Sequence, residues 1–275
     1  MIKKSFYHQI ENTNLSEFST CVYHHNSWEF NSPHFHKNFE LLLVIRGQCE
    51  YAVGGKTHLM KEGDAIFVLP FQVHRFTVSE GASVQCINFS DLLILTLAKQ
   101  FRNKKLIDPV FRPSPETMHF FTEKLIELFG AESLYNNNIP QAKRMKLKGC
   151  LYTIGGEVLE KTGLASVGGS DLLIMDVVEY IADHYKTNIS LRDVAEAKGY
   201  NYQYLSRLFN HVFGINFKTM LNQYRAGSAL ELLRDSDLSL SEIAFESGFQ
   251  SIRSFDHVFR NQFGRPPKDF RREKG

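Results

Sequence analysis

The C-terminal part of this 275-residue sequence contains one short pattern twice. SLRDVAEAKGYNYQYLSRLFNHVFG, from Ser190 to Gly214, aligns with SLSEIAFESGFQSIRSFDHVFRNQFG, from Ser239 to Gly264, with one residue inserted in the second copy. A repeat constrains the fold strongly, because both copies are expected to form the same supersecondary unit. The matched pairs are Ala195 with Ala244, Gly199 with Gly248, Tyr200 with Phe249, Leu205 with Phe255, Phe209 with Phe259, Phe213 with Phe263, and Gly214 with Gly264.

Each copy is predicted to form a helix, a turn and a second helix. The small alanine lets two helices cross closely, the glycine supplies a positive φ, and the periodic apolar residues seat the second helix. Ser190 can cap the first helix of the first copy, with Asp193 in its first turn. In the second copy, either Ser239 or Ser241 can do the same.

Two further helices complete the prediction for this part of the chain. FKTMLNQYRAGSALELLRD, between the copies, is typical of a long connecting helix, and residues 171–185 form a helix before the first copy. We therefore expect residues 171–275 to form an all-α tandem helix-turn-helix domain. Two recognition helices on a rigid connection can enter successive major grooves of double-stranded DNA, about 34 Å apart.

The residues that contact DNA are predicted by subtracting the apolar core positions from each recognition helix. Gln203 and Arg207 suit adenine and guanine, and Arg253 and His257 are their counterparts in the second copy. The alternative for Arg207, and for Arg260, is an ion pair with a nearby carboxylate. The full predicted DNA-binding set is Tyr202, Gln203, Tyr204, Ser206, Arg207, Ile252, Arg253, Ser254 and His257.

Charge supports this prediction only locally. The whole chain has 32 basic and 30 acidic residues and a net charge of +2, and the balance is also even from Asp171 onward. Basic residues are instead concentrated near the C-terminus, which is enough for phosphate contacts. They are Arg253, Arg260, Arg265, Lys268, Arg271, Arg272 and Lys274.

The N-terminal half has a different sequence pattern, in which short apolar runs alternate with turn residues between positions 20 and 89. Gly54-Gly55 is typical of a tight hairpin, and Glu62-Gly63-Asp64 of a second turn. This spacing predicts a small antiparallel barrel or sandwich, and we assign a barrel domain to residues 1–95. Residues 96–162 are helical in pattern, with a helix start at Ser114-Pro115-Glu116, and should pack on the barrel or dimerise. Residues 163–170 are rich in small residues and predict a linker.

The stretch PHFHKNFE carries the candidate ligand site of the barrel. On an alternating strand, His34 and His36 would point to the same face, and His74 could join them from a later strand. Three roles remain open for these residues with Glu40: a polar ligand pocket, a metal site, or purely structural contacts. In the structural alternative, Glu40 pairs with Arg46 or Arg75 across strands.

A polar pocket is the favoured role, with His34, His36, Glu40 and His74 as its ligand-binding residues. Aromatic residues close in sequence would add stacking surfaces, so a hydroxyl-rich effector such as a sugar would suit it. The predictions include no metal and no cofactor. The nearby aromatic residues are Phe35, Phe39, Tyr51, Phe67 and Phe76.

The residues described above resemble two known patterns. The second copy with its tail, IAFESGFQSIRSFDHVFRNQFGRPPKDFR, resembles the DNA-binding domain of the AraC/XylS family of bacterial transcription regulators, and Arg225, Ala229, Leu232 and Leu233 also follow that family's pattern. His34-x-His36-x3-Glu40-x6-Gly47 resembles the first cupin motif, and Gly63-Asp64 to His74 resembles the second with altered spacing. In metal-binding cupins, residues at such positions hold the ion.

These resemblances imply an α+β multidomain regulator with a cupin-like sensor barrel. It would be an activator that binds promoter or operator DNA, responds to a small-molecule effector, forms a homodimer and contacts RNA polymerase. The predicted DNA contacts match the positions at which the family reads bases. Two other possibilities are a metal-dependent cupin enzyme fused to a DNA-binding module, and a barrel that only dimerises.

Composition excludes several other classes of protein. The four cysteines are scattered, without the short spacing of a zinc or redox motif, and fit reduced thiols in a cytoplasm. The longest apolar runs are far shorter than the ~18 residues of a membrane span. We therefore expect a soluble cytoplasmic protein. The resemblances above imply in addition that it is a regulator and not an enzyme.

Overall fold

The computed structural model describes residues 18–24, 34–129, 134–136 and 139–271. These form two compact units, one of residues 168–271 together with His34 and one of the other described residues up to Val167. Across these residues, helices long and apolar enough to cross a membrane are absent. The N-terminal unit is built on antiparallel strands. They are β1 Phe18–His24, β2 Phe39–Arg46, β3 Gln48–Val53, β4 Lys56–Lys61, β5 Ala65–Val68, β6 His74–Val78, β7 Ser83–Phe89, β8 Lys104–Leu106, β9 Val110–Phe111, β10 Leu134–Asn136 and β11 Leu164–Ser166.

The strands of the N-terminal unit form two main antiparallel sheets. One has the order β10-β1-β7-β2-β5-β9 and the other the order β4-β3-β6. Side chains from both sheets form a shared apolar cluster, with Leu42 and Val44 from β2, and Tyr51 and Val53 from β3. The predicted antiparallel β-domain is therefore confirmed, with its inner core between two facing sheets.

The central strand β2 is buried on both of its faces. Phe39, Leu41 and Leu43 belong to a second core cluster, while Leu42 and Val44 belong to the core between the sheets. Because side chains alternate along a strand, Glu40 shares the inward face of Leu42 and Val44. A carboxylate is thus placed in the core between the sheets, where it must find polar partners.

Helices cover the outer face of the larger sheet. Leu147, Leu151 and Ile154 of the long helix α4 join the same core cluster as Phe39 and Leu41 of β2. As predicted, Ser114 caps a helix that begins at Pro115. The helices are α1 Leu95–Phe101, α2 Pro115–His119, a π-helical turn at Phe120–Lys124, α3 Leu125–Phe129 and α4 Gln141–Thr162, with a 3-10 turn at Asp91–Leu93.

The segment predicted as a linker, residues 163–170, contains regular structure. Leu164–Ser166 form β11, which pairs antiparallel with β8 from Lys104 to Leu106. The following helix already begins at Gly169. Backbone pairing with β8 therefore orders a stretch that its glycine content alone would leave flexible.

The C-terminal unit is helical, and its helices lie where the repeat predicts them. The predicted connecting helix is α8, and the helix before the first copy is α5. Each copy forms two helices, α6 with α7 and α9 with α10. The bounds are α5 Gly169–His184, α6 Leu191–Lys198, α7 Tyr202–Phe213, α8 Phe217–Asp235, α9 Leu240–Glu246 and α10 Ile252–Phe263, followed by a 3-10 turn at Pro267–Phe270.

Both copies begin with the same capping arrangement. Ser190 accepts a hydrogen bond from the Asp193 backbone N–H, and the Asp193 side chain accepts one from the Ser190 backbone N–H. Ser239 and Glu242 form the same reciprocal pair at the start of α9, which decides between the two serines predicted there. These pairs satisfy backbone donors that the first helical turn leaves unpaired.

The glycines of the two turns have different surroundings. Both have positive φ, +70° at Gly199 and +86° at Gly248, as the repeat predicts. A Cβ at Gly199 would meet open space, whereas one at Gly248 would lie 2.5 Å from Tyr185 O and 3.1 Å from Arg225 Nε. Buried Arg225 itself donates to the carbonyls of Tyr185 and Thr187, both at 2.7 Å. The second turn is therefore packed against the end of α5.

Candidate functional sites

The four predicted ligand residues lie together in the N-terminal half of the chain. We call His34, His36, Glu40 and His74 the His–Glu cluster. One donor atom from each residue lies within 4.8 Å of those of the other three. Each residue is at most 1% exposed. The sequence thus identified a real spatial cluster from residues up to 40 positions apart.

Glu40 is the centre of the cluster. Its Oε2 lies 3.1 Å from His36 Nε2 and 3.6 Å from His74 Nε2. Its other oxygen, Oε1, accepts a hydrogen bond of 2.6 Å from the Tyr51 hydroxyl. Tyr51 is contributed by β3, so the facing sheet supplies a donor to the buried carboxylate.

Backbone carbonyls orient two of the histidine rings. His36 Nδ1 lies 2.9 Å from Asn38 O, and His74 Nδ1 lies 2.8 Å from Gln72 O. A carbonyl oxygen only accepts, so each Nδ1 carries a proton and donates it. In both residues Nε2 faces Glu40, and the 3.1 Å contact of His36 Nε2 with Glu40 Oε2 is a hydrogen bond when that nitrogen also carries a proton.

Ring packing fixes the positions of the same side chains. Tyr51 stacks on His74 with ring centroids 5.9 Å apart, and His36 meets His74 edge to face at 4.9 Å. Tyr51 also stacks on Phe76 on its β6 neighbour. The rings therefore hold the cluster in one arrangement rather than leaving it free to change rotamer.

The electrostatics of the cluster follow from burial and from these contacts. Burial raises the pKa of Glu40, but His74 and His36 lower it by more, so this pKa lies well below its usual value. Burial lowers the pKa of His36, and its hydrogen bond to Glu40 only partly offsets this. Burial, and then the Glu40 charge, raise the pKa of Tyr51 well above its usual value. The histidine contacts therefore favour the charged form of Glu40, whereas burial disfavours the charged form of His36.

Three details differ from the sequence predictions. His34 and His36 precede β2, which begins at Phe39, so strand alternation does not orient them. Glu40 bonds Tyr51 and histidines, while Arg46 Nε donates to Gly81 O at 2.9 Å, so the ion pair with Arg46 is wrong. Phe39 and Phe67 lie in the core cluster on the helix-covered side of the larger sheet, because they alternate with the inward residues.

Tyr51 is the polar partner of the His–Glu cluster that the sequence reasoning missed. It was expected only as an aromatic surface, and its hydroxyl turns out to bond Glu40. Its position between the apolar residues Cys49 and Val53 on alternate sites of β3 predicts that it points inward. That its hydroxyl bonds Glu40 depends on how the two sheets face each other, and no local sequence pattern predicts this arrangement.

The second candidate site is the outward face of α7. Leu205, Phe209 and Phe213 are buried along one side of this helix. Gln203 and Arg207 are exposed on the other side, as is Tyr204 at 48%. Two further predicted contact residues, Tyr202 and Ser206, are half-buried.

The outward face of α10 repeats this arrangement with different chemistry. Phe255 and Phe259 are buried, while Arg253, Ser254 and His257 are exposed. Ser251, Arg253, Ser254 and His257 line a surface concavity at the start of the helix. Ile252, also predicted, is 47% exposed beside it.

The alternative role of an ion pair fits one of the two arginines. Arg260 Nε donates to Asp256 Oδ2 at 2.6 Å. Arg207 Nε instead makes a long bond of 3.4 Å to Gln203 O, a backbone group of its own helix. The guanidinium of Arg207 therefore has N–H groups that can donate hydrogen bonds to an incoming partner.

Comparison with known proteins agrees with this division of the chain. Residues 18–132 match the family model described as an AraC-like ligand binding domain, and residues 194–273 match one described as a helix-turn-helix domain. The regulatory protein SoxS of Escherichia coli is 32% identical over 99 residues, which cover 36% of this chain and 92% of SoxS. The Msm operon regulatory protein of Streptococcus mutans is 22% identical over 94% of this chain and 95% of its own length.

A solved structure shares the fold of the whole chain. ToxT from Vibrio cholerae superimposes with a TM-score of 0.57 at 17% identity, covering 92% of this chain and 96% of ToxT. The likeness therefore extends over both the ligand-binding and the helix-turn-helix regions. This chain belongs to the AraC/XylS family of transcription regulators, with an N-terminal ligand-binding domain and a C-terminal helix-turn-helix DNA-binding domain.

Proposed function

We propose that this regulator reads its DNA site with the outward faces of α7 and α10. The observation that supports this most is the exposure of Gln203 and Arg207 on a helix whose opposite side is buried. A glutamine can bond adenine in two places and an arginine can do the same with guanine. Arg253 and His257 hold the corresponding positions on α10. The other proposed contacts are Tyr202, Tyr204, Ser206, Ile252 and Ser254.

Selection from a random duplex library tests this proposal, because the selection itself defines the DNA site. The wild-type chain should enrich a two-part site, and the double variant Gln203→Ala, Arg207→Ala should lose base preference in one part only. Arg102→Ala, which removes an exposed arginine from the N-terminal unit, is the matched control and should enrich the wild-type site. An unchanged preference in the double variant would overturn the assignment of α7.

We also propose that the His–Glu cluster holds the ligand of the N-terminal domain and that its occupancy shifts the chain between DNA-competent and incompetent states. Such a ligand must bind one state more tightly than the other. ToxT has been solved with an unsaturated fatty acid bound, so ligands of related folds need not be sugars. Thermal-shift screening against saccharides, fatty acids and metal ions tests the ligand class, since a ligand of the folded state raises its stability.

The proposed partners beyond DNA and effector are a second copy of the chain and RNA polymerase, with activation as the outcome. Family membership supports these proposals. A dimer would also raise the effective concentration of weak DNA-binding domains on paired sites. Light scattering at several protein concentrations, with and without the selected DNA, measures the oligomeric state directly.

An enzymatic role is the weaker candidate. The similar proteins named above are regulators. We therefore propose regulation without catalysis.

A further inference from the structure

Two cysteines of the N-terminal unit face each other across neighbouring strands. Cys21 of β1 and Cys86 of β7 are direct partners in the antiparallel register of these strands. Residues opposite each other in such a pair have Cα atoms about 4.5 or 5.5 Å apart, depending on which of the two kinds of pair they form. A disulfide needs Cα atoms about 4.4–6.8 Å apart, so both kinds of pair meet its requirement.

The two side chains also point to the same face of the sheet. Cys86 belongs to the core cluster between the two facing sheets, and Cys21 packs against that cluster. Opposite side chains on one face of an antiparallel pair have Cβ atoms about 4.5–5.5 Å apart, whereas a disulfide holds them about 3.5–4.5 Å apart. A small approach of β1 towards β7 therefore brings the two sulfur atoms to bonding distance.

The other two cysteines are less suited to either partner. Cys49 lies on β3 in the facing sheet, and sheets that pack face to face are about 10 Å apart, beyond the ~7 Å between Cα atoms that a disulfide tolerates. Cys150 lies on α4 and packs against the core cluster on the helix-covered side of the larger sheet. The fold therefore selects one pair among the four thiols.

We propose that Cys21 and Cys86 form an intrachain disulfide on reaction with hydrogen peroxide, which makes the ligand-binding domain a site of reversible oxidative modification. The Cys21 sulfur attacks one peroxide oxygen, the O–O bond breaks, and Cys21 sulfenic acid and water form. The Cys86 sulfur then attacks the Cys21 sulfur, the S–O bond breaks, and the departing hydroxide takes the Cys86 proton as a second water. The two thiols lose two electrons and two protons in total, and one peroxide molecule takes up both.

The difference in burial assigns the two roles. Cys21 is half-buried, whereas Cys86 is only 3% exposed. Burial, and then the Glu40 charge, raise the pKa of the Cys86 thiol well above its usual value, so Cys86 stays protonated and reacts slowly with peroxide from solution. Cys21 is therefore the thiol that peroxide oxidises, and Cys86 is the thiol that converts the sulfenic acid to the disulfide.

Asn88 supports the second step of this reaction. Its side-chain N–H group donates to Cys86 Sγ at 3.5 Å. A donor to sulfur stabilises the negative charge that develops as the thiol proton leaves, and this contact acts against the rise in the pKa of Cys86. The step is also intramolecular, so the neighbouring Cys21 sulfur is present at a high effective concentration.

Peroxide titration of the full-length wild-type chain provides the first test. The chain is reduced and separated from the reductant, hydrogen peroxide is added, and the remaining thiols are alkylated after unfolding. We expect the thiols to fall from four to two, about one peroxide to be consumed per chain, and peptide mass spectrometry to find Cys21 linked to Cys86. Dithiothreitol should reverse the link. Four surviving thiols, or a link between any other two cysteines, would overturn the proposal.

Single variants test the two roles. Cys86→Ser should leave Cys21 as a sulfenic acid that a dimedone probe traps, and Cys21→Ser should leave Cys86 as a thiol under the same treatment. Cys150→Ser is the matched control, because Cys150 is also half-buried, and it should form the link at the wild-type rate. Circular dichroism checks folding, and the peptide map of the wild type needs no variant. Oxidation of Cys86 at the wild-type rate in folded Cys21→Ser would overturn the assigned roles.

Discussion

The two helix-turn-helix copies share a scaffold and differ in what they present on it. Both second helices are 12 residues long, begin after a side-chain cap and bury the matched phenylalanines Phe209 and Phe259. Their outward residues differ, with Gln203 and Arg207 on α7 against Arg253 and His257 on α10. The repeated positions therefore specify the fold, and the divergent positions leave each helix free to read a different base sequence.

The copies also differ in what holds their turns. The turn at Gly199 needs only a positive φ, since a Cβ there would meet open space. The turn at Gly248 additionally touches the backbone of Tyr185 and Lys186 and the side chain of Arg225. Glycine is thus needed for the positive φ of the turn in the first copy, and in the second copy it is needed for close packing as well.

Substitution of the two glycines should give the largest difference between the copies. Gly248→Ala combines left-handed strain with a collision against backbone, and we expect a loss of about 2–5 kcal/mol in the free energy of unfolding. Gly199→Ala carries the strain alone, about 1–2 kcal/mol. Chemical denaturation of the full chain, with hydrogen exchange followed in α9 and α10, measures both. Equal losses of unfolding free energy in the two variants would mean that the end of α5 can shift away from residue 248 without a loss of stability.

Truncation of the arginines that we propose as base contacts should give the next largest effect, and we expect it to change the affinity for DNA rather than the stability of the chain. Arg207→Ala and Arg253→Ala should each weaken binding to the selected site by about 1–3 kcal/mol and relax base preference in opposite halves of it. Fluorescence anisotropy at fixed salt measures the affinity. If both variants relaxed the same half, the assignment of one recognition helix to each half would fail.

The signals that predicted the repeat are local, which explains why the sequence was sufficient there. Serine caps, glycine turns and phenylalanines at helical spacing lie within a few residues of the structure that they form, as at Ser190, Gly199 and Phe209. The contact of Gly248 with Tyr185 joins residues 63 positions apart, so no local pattern reveals it.

The His–Glu cluster was only partly predictable for the same reason. The sequence predicted that His74 could join His34 and His36, and the four residues with Glu40 do lie together, while their role as a ligand site stays a prediction. The expected strand geometry was wrong, because β2 begins after both histidines. The bond from Tyr51 to Glu40 depends on how two sheets face each other. Residue identities were therefore accessible from the sequence, but the partners of each residue were not.

Removal of the serine caps should destabilise the two copies by similar amounts, whereas substitution of the turn glycines should not. Ser190→Ala and Ser239→Ala each remove the side chain that accepts a bond from the first helical turn, and each should cost about 1 kcal/mol. Thermal unfolding of both variants beside Ser241→Ala, which lies inside α9 and is the matched control, measures this. A loss in Ser241→Ala equal to that in Ser239→Ala would refute the capping role.

The ion pair of α10 should have the smallest effect. Arg260 and Asp256 are both solvent-exposed, 52% and 42%, so Arg260→Ala should change the free energy of unfolding by less than about 0.5 kcal/mol. Asp256→Ala leaves Arg260 free to contact phosphate, and it should steepen the slope of log affinity against log salt by up to about 1. Because Arg207 bonds a backbone carbonyl of its own helix instead of a carboxylate, α7 offers no equivalent gain. An unchanged slope in Asp256→Ala would place Arg260 away from the DNA backbone and would confine the phosphate contacts of α10 to other residues.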